Sequence, residues 1–246
     1  MNMKPLYLKT FLSTPGSRRT IKYLKRNQVL FSQGKRADAI FYILAGVVGL
    51  TVTADGKERI ITLLGPGSFA GKECIASNRP QRTSSGRALT ACTVLRIERN
   101  EMLRMIKTKR AFAVLFVDYL LSRITRYQEV IMDQMFVSSE KRLARTLLQL
   151  TNMSESGDVE AVVPYLGQTI LAEVVGTTRS RVSFFMNRFR VLGLIAYKSQ
   201  GPVLINTVQL SAWLVEGRQV APDAQDQEGQ PADGAQQGAA LFNPGA

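Results

Sequence analysis

Two arginines, Arg179 and Arg181, stand among short hydroxyl and amide side chains and could together bind DNA. A guanidinium group holds several N–H donors in a fixed plane, which suits the guanine edge in the major groove and the oxygens of a phosphate. Hydroxyl and amide groups add hydrogen bonds to bases or to the backbone. The residues that we expect to contact DNA are Gln168, Thr169, Thr178, Arg179, Ser180, Arg181, Ser183 and Asn187.

Two short helices joined by a tight turn are predicted to position these side chains. Gly176 ends the first helix, since glycine adopts the left-handed backbone of a helix C-terminus without strain. Thr177 and Thr178 can cap the second helix. Ala172 before the glycine and Val182 after it complete the spacing of a helix-turn-helix. The apolar faces are Ile170, Leu171, Val174 and Val175 in the first helix, and Val182, Phe185, Met186 and Phe189 in the second.

The segment that follows makes the interpretation more specific, because a plain helical hairpin shows the same apolar spacing. Residues 194–197 predict a strand, residues 199–202 a turn, and residues 203–205 the returning strand. A hairpin directly after a helix-turn-helix is typical of a winged helix. We therefore predict a DNA-binding domain over residues 138–214.

The charge of the chain favours a polyanionic partner. Its 246 residues hold 32 Lys and Arg against 19 Asp and Glu, which gives a net charge of +13 and an isoelectric point near 10.1. The residues after Glu216 are acidic on balance, so the remainder is more basic still, near +16. Such a charge suits nucleic acid or an anionic membrane, although a role in solubility alone remains the alternative.

The residues that the chain lacks exclude several chemistries. It has no histidine and only two cysteines, Cys74 and Cys92, which we expect to be reduced thiols although a disulfide is conceivable. A histidine-ligated metal, a haem with a proximal histidine and a four-cysteine iron–sulfur cluster are therefore excluded within one chain. No P-loop, metal-ligand cluster or activated nucleophile is found, so we expect no enzyme.

Apolar segments long enough to span a membrane are missing from the sequence, and the N-terminus lacks an apolar targeting core. We therefore expect a soluble, cytoplasmic protein with no membrane partner.

Short apolar runs broken by glycine occupy residues 20–98. Asp55-Gly56 is a strong signal for a two-residue hairpin turn. Many short strands with regular turns favour a β-sandwich or barrel. Residues 1–19, which precede them, are predicted to be a loosely docked arm. The apolar runs are Val29–Phe31, Ala39–Leu44, Val47–Val52, Ile60–Leu64 and Thr93–Ile97.

The apolar period becomes helical over residues 99–137, which we assign to a helical linker and a long helix. From Ala113 to Gln134 the apolar positions alternate by four and three residues, the heptad spacing of a two-stranded coiled coil. A helix buried in the core of one chain is the alternative. We favour a homodimer formed through this helix. Its predicted interface residues are Val117, Leu120, Ile124, Tyr127 and Ile131.

Polar residues mark the limits of the predicted C-terminal domain. Ser138 and Ser139 offer an N-cap for the helix that begins there. Residues 151–163 are predicted to be a loop or a small hairpin. Residues 215–246 are rich in Ala, Gln, Gly, Pro and Asp, a composition that predicts disorder.

This order of parts resembles the Crp/Fnr family of bacterial transcription regulators over residues 20–213. The resemblance implies an α+β fold with an N-terminal, cyclic-nucleotide-binding-like β-jelly roll, a long dimerisation helix and a C-terminal winged helix-turn-helix. In the first domain it rests on Gly34, Phe41-Tyr42-Ile43, Gly46, residues 55–58, residues 65–69, Gly71, Arg82-Thr83 and Arg87-Ala88. In the second it rests on residues 140–144 and 176–182.

The resemblance also implies an effector pocket at Gly71, Lys72, Glu73, Arg82 and Thr83, with a cyclic nucleotide as a candidate ligand. In members that bind cyclic nucleotides, a ribose-binding glutamate follows the glycine that matches Gly71, and an arginine with a serine or threonine grips the phosphate. Here Lys72 follows the glycine. On a strand, the shift of the glutamate to Glu73 would turn it away from the pocket unless a bulge restores it. A pocket that has lost its ligand is the alternative.

The second helix departs from the best-known pattern of the family. Arg179 matches the arginine that reads guanine, whereas Ser180 replaces the following glutamate and Phe184 replaces a later base-reading arginine. We therefore expect an operator that differs from that of the cyclic-AMP receptor.

Together these features predict a homodimeric regulator of transcription that reads a palindromic site in double-stranded DNA, responds to a small-molecule effector and acts on RNA polymerase. The alternative is a nucleotide-binding regulatory subunit that controls a protein partner through its winged helix. Salt-dependent binding to a palindromic site distinguishes the two.

Overall fold

The computed structural model describes residues 18–76, 80–153, 159–198 and 201–216. Over these ranges the chain forms eleven β-strands, six α-helices and one 3₁₀ turn. Most of the predicted arm, and the predicted disordered tail from residue 217 onward, lie outside the described residues. None of the helices in the described ranges combines the length and the apolar character of a membrane-spanning segment.

Eight strands form the predicted β-sandwich, a jelly roll of two four-stranded antiparallel sheets. The sheet orders are β1-β8-β3-β6 and β2-β7-β4-β5. Side chains such as Phe41 and Val94 from one sheet and Val48 from the other meet in a shared core. The strands are β1 (Arg19–Leu24), β2 (Val29–Phe31), β3 (Ala39–Ala45), β4 (Val48–Ala54), β5 (Lys57–Leu64), β6 (Phe69–Ala70), β7 (Ser85–Ala88) and β8 (Cys92–Glu98).

The predicted hairpin at Asp55-Gly56 is confirmed. Both residues have left-handed backbone, with φ of 51° and 72°, and they join β4 to β5. Positive φ at both central positions matches the twist of the flanking strands. The strands that the sequence did not reveal are β1, β6 and β7. Strand β1 is mostly exposed and lacks an apolar run, and it is fixed by pairing with β8 along its whole length.

Two helices follow the sandwich: α1 (Arg99–Thr108) and the long helix α2 (Arg110–Phe136). They cover the outer face of the β1-β8-β3-β6 sheet. Phe112 and Phe116 of α2 pack there with Tyr42 and Phe69, and the Tyr119 hydroxyl accepts a hydrogen bond from the Phe69 N–H at 2.9 Å. The first half of α2 is therefore anchored to the jelly roll.

The C-terminal part is a winged helix-turn-helix. Its elements are α3 (Ser139–Thr151), β9 (Glu160–Val163), α4 (Gln168–Val175), α5 (Arg179–Val191), β10 (Ile195–Tyr197), β11 (Val203–Asn206) and α6 (Thr207–Glu216). The Ser138 hydroxyl caps α3 by accepting a hydrogen bond from the Lys141 N–H at 3.4 Å. The three strands form one sheet in the order β10-β11-β9.

Two details of this domain differ from the sequence prediction. Residues 160–163 form no hairpin of their own, because β9 pairs with β11 of the wing. Helix α6 ends at Glu216, two residues beyond the predicted bound of 214, and its Trp213 ring packs edge-on against Phe189 at 5.2 Å.

The apolar core of the winged helix continues onto the jelly roll. Val47, Ile60, Leu63 and Leu89 of the β-sandwich belong to the same buried cluster as the helices of the C-terminal domain. Helix α4 contacts strand β5. The two domains therefore share a packed boundary in this conformation.

Both cysteines are buried free thiols, and burial raises the pKa of Cys74 to about 11.

Candidate DNA interface and effector site

The turn between α4 and α5 has the predicted geometry. Gly176 has φ 72° and ψ 49°, and its N–H donates to the Ala172 carbonyl at 2.9 Å. A Cβ atom at this position would lie 2.9 Å from Gln134 Oε1 of the long helix. The left-handed backbone therefore favours glycine, and a larger residue would also have to displace the end of the Gln134 side chain.

Helix α5 is capped and seated as the sequence predicts. The Thr178 hydroxyl accepts a hydrogen bond from the Arg181 N–H at 3.3 Å. Its predicted apolar face, Val182, Phe185, Met186 and Phe189, is buried. The opposite face is therefore directed to solvent.

An open recess brings together five of the eight predicted DNA contacts: Gln168, Arg179, Ser180, Ser183 and Asn187. The other three, Thr169, Thr178 and Arg181, are exposed outside the residues that line it. Phe184 and Tyr197 complete the recess, and neither was among the predicted contacts. The signal for Phe184 was available in the sequence, because it lies four residues after Ser180 on the same helical face.

The arginines of α5 differ in what they contact. Arg188 Nη1 lies 3.3 Å from Glu140 Oε2, and Arg190 Nη2 donates to Asn187 Oδ1 at 2.6 Å. The Arg181 guanidinium lies 6.0 Å from the centre of the Phe185 ring. Arg179 makes no hydrogen bond or ion pair within the described part of the chain. Its guanidinium group is therefore available to a ligand.

Arg142 of α3 holds the turn in place and was not identified as a functional residue from the sequence. Its Nε donates to the Val175 carbonyl at 2.9 Å, and its terminal nitrogens donate to the carbonyls of Val137 and Gly176 at 2.7 and 3.3 Å. Burial lowers the pKa of Arg142. These bonds satisfy carbonyls at two helix C-termini, where no intrahelical donor is left.

The long helix is joined to the winged helix through several polar contacts. Gln134 Nε2 donates to the Val175 carbonyl at 3.4 Å. Arg126 of α2 donates to Gln149 of α3 at 3.0 Å, and Asp133 forms an ion pair with Arg145. Helices α3 and α4 of the winged helix are therefore held against α2 by polar contacts within the chain.

In the jelly roll, the guanidinium of Arg82 is buried among internal acceptors and is only 3% exposed. It donates to the carbonyls of Ala39 at 2.6 Å and Gly71 at 3.1 Å. Its Nη1 also lies 3.3 Å from Glu73 Oε1. Gly71 has φ 76°, and a Cβ there would lie 2.2 Å from Arg82 Nη1. Three predicted effector residues thus contact one another, whereas Thr83 is exposed.

The strand geometry assumed for Lys72 and Glu73 is wrong, because residues Lys72–Ile75 form a 3₁₀ turn. In such a turn consecutive side chains do not alternate between two faces. Glu73 contacts Arg82, while the Lys72 ammonium lies 5.9 Å from the ring centres of both Tyr119 and Tyr127 on α2. Lys72 therefore faces the long helix.

A second cation, Arg123, lies at the same boundary between jelly roll and α2. It donates to Thr62 Oγ1 at 3.2 Å and to the Tyr127 hydroxyl at 3.4 Å. Its Nε is buried without a partner among the described residues. Burial raises the pKa of Tyr127, but hydrogen bonding and charge from Arg123 and Lys72 outweigh it, so the pKa lies below its usual value. The boundary is thus electropositive.

The five residues of the predicted dimer seam differ in how much they contact their own chain. Val117, Ile124 and Ile131 are 51%, 53% and 59% exposed. Leu120 is partly buried where α2 packs on the jelly roll beside Phe116, and the Tyr127 hydroxyl accepts a hydrogen bond from Arg123. The exposed stripe also advances by three and four residues in turn, but it passes through Leu121 and Gln128 in place of Leu120 and Tyr127. It comprises Val114, Val117, Leu121, Ile124, Gln128, Ile131 and Met135.

A β-sandwich joined through a long helix to a winged helix defines a class of regulator in which one domain senses and the other binds DNA. Two family models match in that order: the cyclic nucleotide-binding domain over residues 21–109 and the Crp-like helix-turn-helix domain over residues 141–212. The chain belongs to the Crp/Fnr family of DNA-binding transcription regulators, which are not enzymes.

Individual relatives are distant but cover most of the chain. The CRP-like cAMP-activated global transcriptional regulator of Mycobacterium tuberculosis is 25% identical, covering 76% of this chain and 84% of that protein. The cAMP-activated global transcriptional regulator CRP of Salmonella typhimurium is 23% identical, covering 72% and 86%. The structure of FixK2 from Bradyrhizobium japonicum is 14% identical with a TM-score of 0.68, covering 79% and 96%, and shows the same fold.

Proposed function

We propose that this regulator binds a palindromic operator as a homodimer, with α5 of each copy in the major groove. The observation that carries the proposal is the solvent-directed face of α5. On this face the Arg179 guanidinium has no polar partner within the described residues, and Thr178 caps the helix N-terminus. A guanidinium held in the first turn of such a helix suits a bidentate guanine contact. Gln168, Thr169 and Thr178 lie near helix N-termini, where backbone N–H groups favour phosphate.

The test is selection of operators from random DNA by the full chain, followed by titration at several salt concentrations. We expect an inverted repeat whose half-site centres lie about one DNA turn apart. The logarithm of affinity should fall linearly with the logarithm of salt concentration, because phosphate contacts release counterions. Absence of any sequence-specific binding would refute the proposal and favour the regulatory subunit whose winged helix docks on a protein.

The homodimer is proposed from the exposed apolar stripe of α2. Val117, Ile124 and Ile131 are branched side chains at equivalent heptad positions, and more than half of each is exposed. Pairing two such stripes would remove them from water, which stabilises the assembly by roughly 25 cal/mol for each Å² buried. It also supplies the two recognition helices that a palindrome needs.

The effector is proposed to be an anionic small molecule that binds between the 3₁₀ turn and α2, with cyclic nucleotides as the first candidates. Lys72 and Arg123 supply two cations there. Lys72 cannot accept hydrogen bonds from ribose hydroxyls, since an ammonium only donates. Arg82 is occupied by internal acceptors, so a phosphate would have to share it with Gly71 and Ala39. We therefore expect weak affinity for cyclic AMP.

Calorimetry with cyclic AMP and cyclic GMP tests the effector site. Lys72→Gln should reduce any anion binding by removing one cation, whereas Lys57→Gln, on the exposed end of β5, serves as the matched control. Tight cyclic-AMP binding that persists in Lys72→Gln would disprove the assigned site.

A cytoplasmic location and contact with RNA polymerase are proposed from the class of protein alone.

A further inference from the structure

An aromatic side chain stands in the middle of the proposed DNA-reading face. Phe184 is 62% exposed and lines the same recess as Arg179, Ser180, Ser183 and Asn187. Residues 180, 183, 184 and 187 follow the i, i+3, i+4, i+7 spacing of one helical face, opposite the buried residues of α5. Phe184 is therefore surrounded by polar groups on a surface meant for a polar partner.

The ring of Phe184 has a defined position on that surface. It packs edge-on against Phe185, with ring centres 5.8 Å apart and an interplanar angle of 66°. Phe185 is itself only 7% exposed and belongs to the core of the winged helix. Phe184 is thus supported from beneath and directed outward, which limits the entropy that a contact would cost.

The chemistry of a phenyl ring restricts what it can read in the major groove. It has no hydrogen-bond donor or acceptor, so covering the polar edge of guanine, adenine or cytosine would leave base groups without partners. Thymine differs, because its C5 methyl group projects into the major groove and accepts apolar contacts. Thymine is therefore the base that a phenylalanine at this position favours.

We propose that Phe184 is a specificity-determining residue that contacts the C5 methyl group of one thymine in each half-site. The inference rests on the proposed placement of α5 in the major groove and adds a base preference to it. When operators are selected by a variant that lacks the ring, the preference for thymine at this base pair should weaken. The preference for the guanine contacted by Arg179 should remain.

Replacement of single thymines by deoxyuridine tests the contact, because it removes one methyl group and leaves every hydrogen-bonding group in place. In a selected operator, one thymine position in each half-site should bind the wild-type chain about fourfold more weakly as deoxyuridine, the effect of one buried methyl group. The other thymines should show no change. At the sensitive position, 5-methylcytosine should bind more tightly than cytosine, since it carries its methyl group at the same ring carbon.

Two variants assign the methyl contact to Phe184. Phe184→Ala should bind thymine and deoxyuridine operators equally, and Phe184→Leu should keep part of the difference. Val191→Ala is the matched control, since Val191 is an exposed apolar residue at the end of the same helix, outside the recess. It should keep the full fourfold ratio.

The outcomes separate this inference from the function on which it rests. Failure to bind any operator specifically would refute the proposed DNA-reading role of α5. Specific binding with no deoxyuridine penalty at any thymine would overturn only the role of Phe184. A penalty that persists unchanged in both Phe184→Ala and Phe184→Leu would also overturn it, because another residue would then hold the methyl group.

Discussion

At the scale of single residues, the arginines of α5 divide by what their guanidinium groups contact. Arg188 and Arg190 are engaged with Glu140 and Asn187, whereas Arg179 has no polar partner within the described ranges. The sequence shows only that all of them lie on one helix. Their contacts therefore leave Arg179 free to read bases, together with Arg181, whose guanidinium lies only beside the Phe185 ring.

Arg179→Ala should lower specific operator affinity by about 1–3 kcal/mol, because a bidentate guanine contact is lost. Titration of the selected operator and of a scrambled duplex measures this discrimination. Arg188→Ala is the control and should leave the ratio between the two duplexes unchanged. Undiminished discrimination by a folded Arg179→Ala protein would contradict the assignment.

Arg82 illustrates how a residue chosen from a resemblance can acquire a different role from its surroundings. Its side chain crosses from the loop before β7 to the carbonyls of Gly71 and Ala39, and its guanidinium lies 4.5 Å from the Phe31 ring centre. It therefore ties together three separate segments of the jelly roll.

Arg82→Ala should destabilise the protein, because it leaves the carbonyls of Gly71 and Ala39 without their donor at about 1–3 kcal/mol each. Equilibrium urea unfolding gives the value. Arg87→Ala is the matched control, because its pair with Glu58 is exposed at 3.5 Å and should contribute no more than about 1 kcal/mol. Equal stability of the Arg82 and Arg87 variants would show that the buried contacts contribute little.

At the scale of elements, a charged network attaches edge strand β1 to helix α1. Glu101 accepts hydrogen bonds from Arg104 at 2.8 Å and from Arg19 at 3.0 Å, and its side chain is 10% exposed. The hydrogen bonds from Arg104 are the largest contribution that lowers the pKa of Glu101, to about 2, against the opposing effect of burial. The ionised carboxylate is therefore the form that the folded state stabilises.

Glu101→Gln should lower the free energy of unfolding at neutral pH by about 1–3 kcal/mol, the effect of losing hydrogen bonds to a charged group. Because the folded pKa is depressed, this contribution is complete above the ordinary value of 4.5 and is lost as the pH falls towards about 2. Denaturation at several pH values should therefore show the two proteins converging below pH 4.5. Glu129→Gln, at an exposed pair, is the control. A difference that is constant with pH would exclude the ionised network as its cause.

In the complete molecule, the two faces of α2 have different surroundings. One face packs on the jelly roll through Phe112 and Phe116, while the opposite stripe, including Ile124 and Leu121, is exposed. The C-terminal half of α2 also contacts the winged helix through Gln134. A second copy on the exposed stripe would therefore touch a helix that is connected to both the sensor and the DNA-binding domain.

Ile124→Glu should convert the proposed dimer into monomers that bind the operator poorly, because a charge would be buried at the seam. Leu121→Glu should do the same if the exposed stripe forms the interface. Ile61→Glu, at an equally exposed apolar residue of β5, should remain dimeric. Sedimentation equilibrium distinguishes these states, and a wild-type monomer at micromolar concentration would refute the dimer.

Local sequence patterns were enough to predict the order of domains, the helix-turn-helix and the hairpin at Asp55-Gly56. These features rest on local rules: glycine tolerates positive φ, threonine caps helices, and apolar side chains recur at the period of their element. For the same reason the buried face of α5 was predicted correctly, including Val182 and Phe189.

Packing between distant parts of the chain sets which side chains remain free to bind a ligand. Arg82 and Arg179 are chemically identical, yet the first is enclosed by carbonyls from distant segments and the second faces solvent. Strand β1 likewise exists because β8 pairs with it, and the Tyr127 hydroxyl is engaged by Arg123. Contacts between residues far apart in the chain depend on how whole elements pack, and the local pattern of any one element does not contain them.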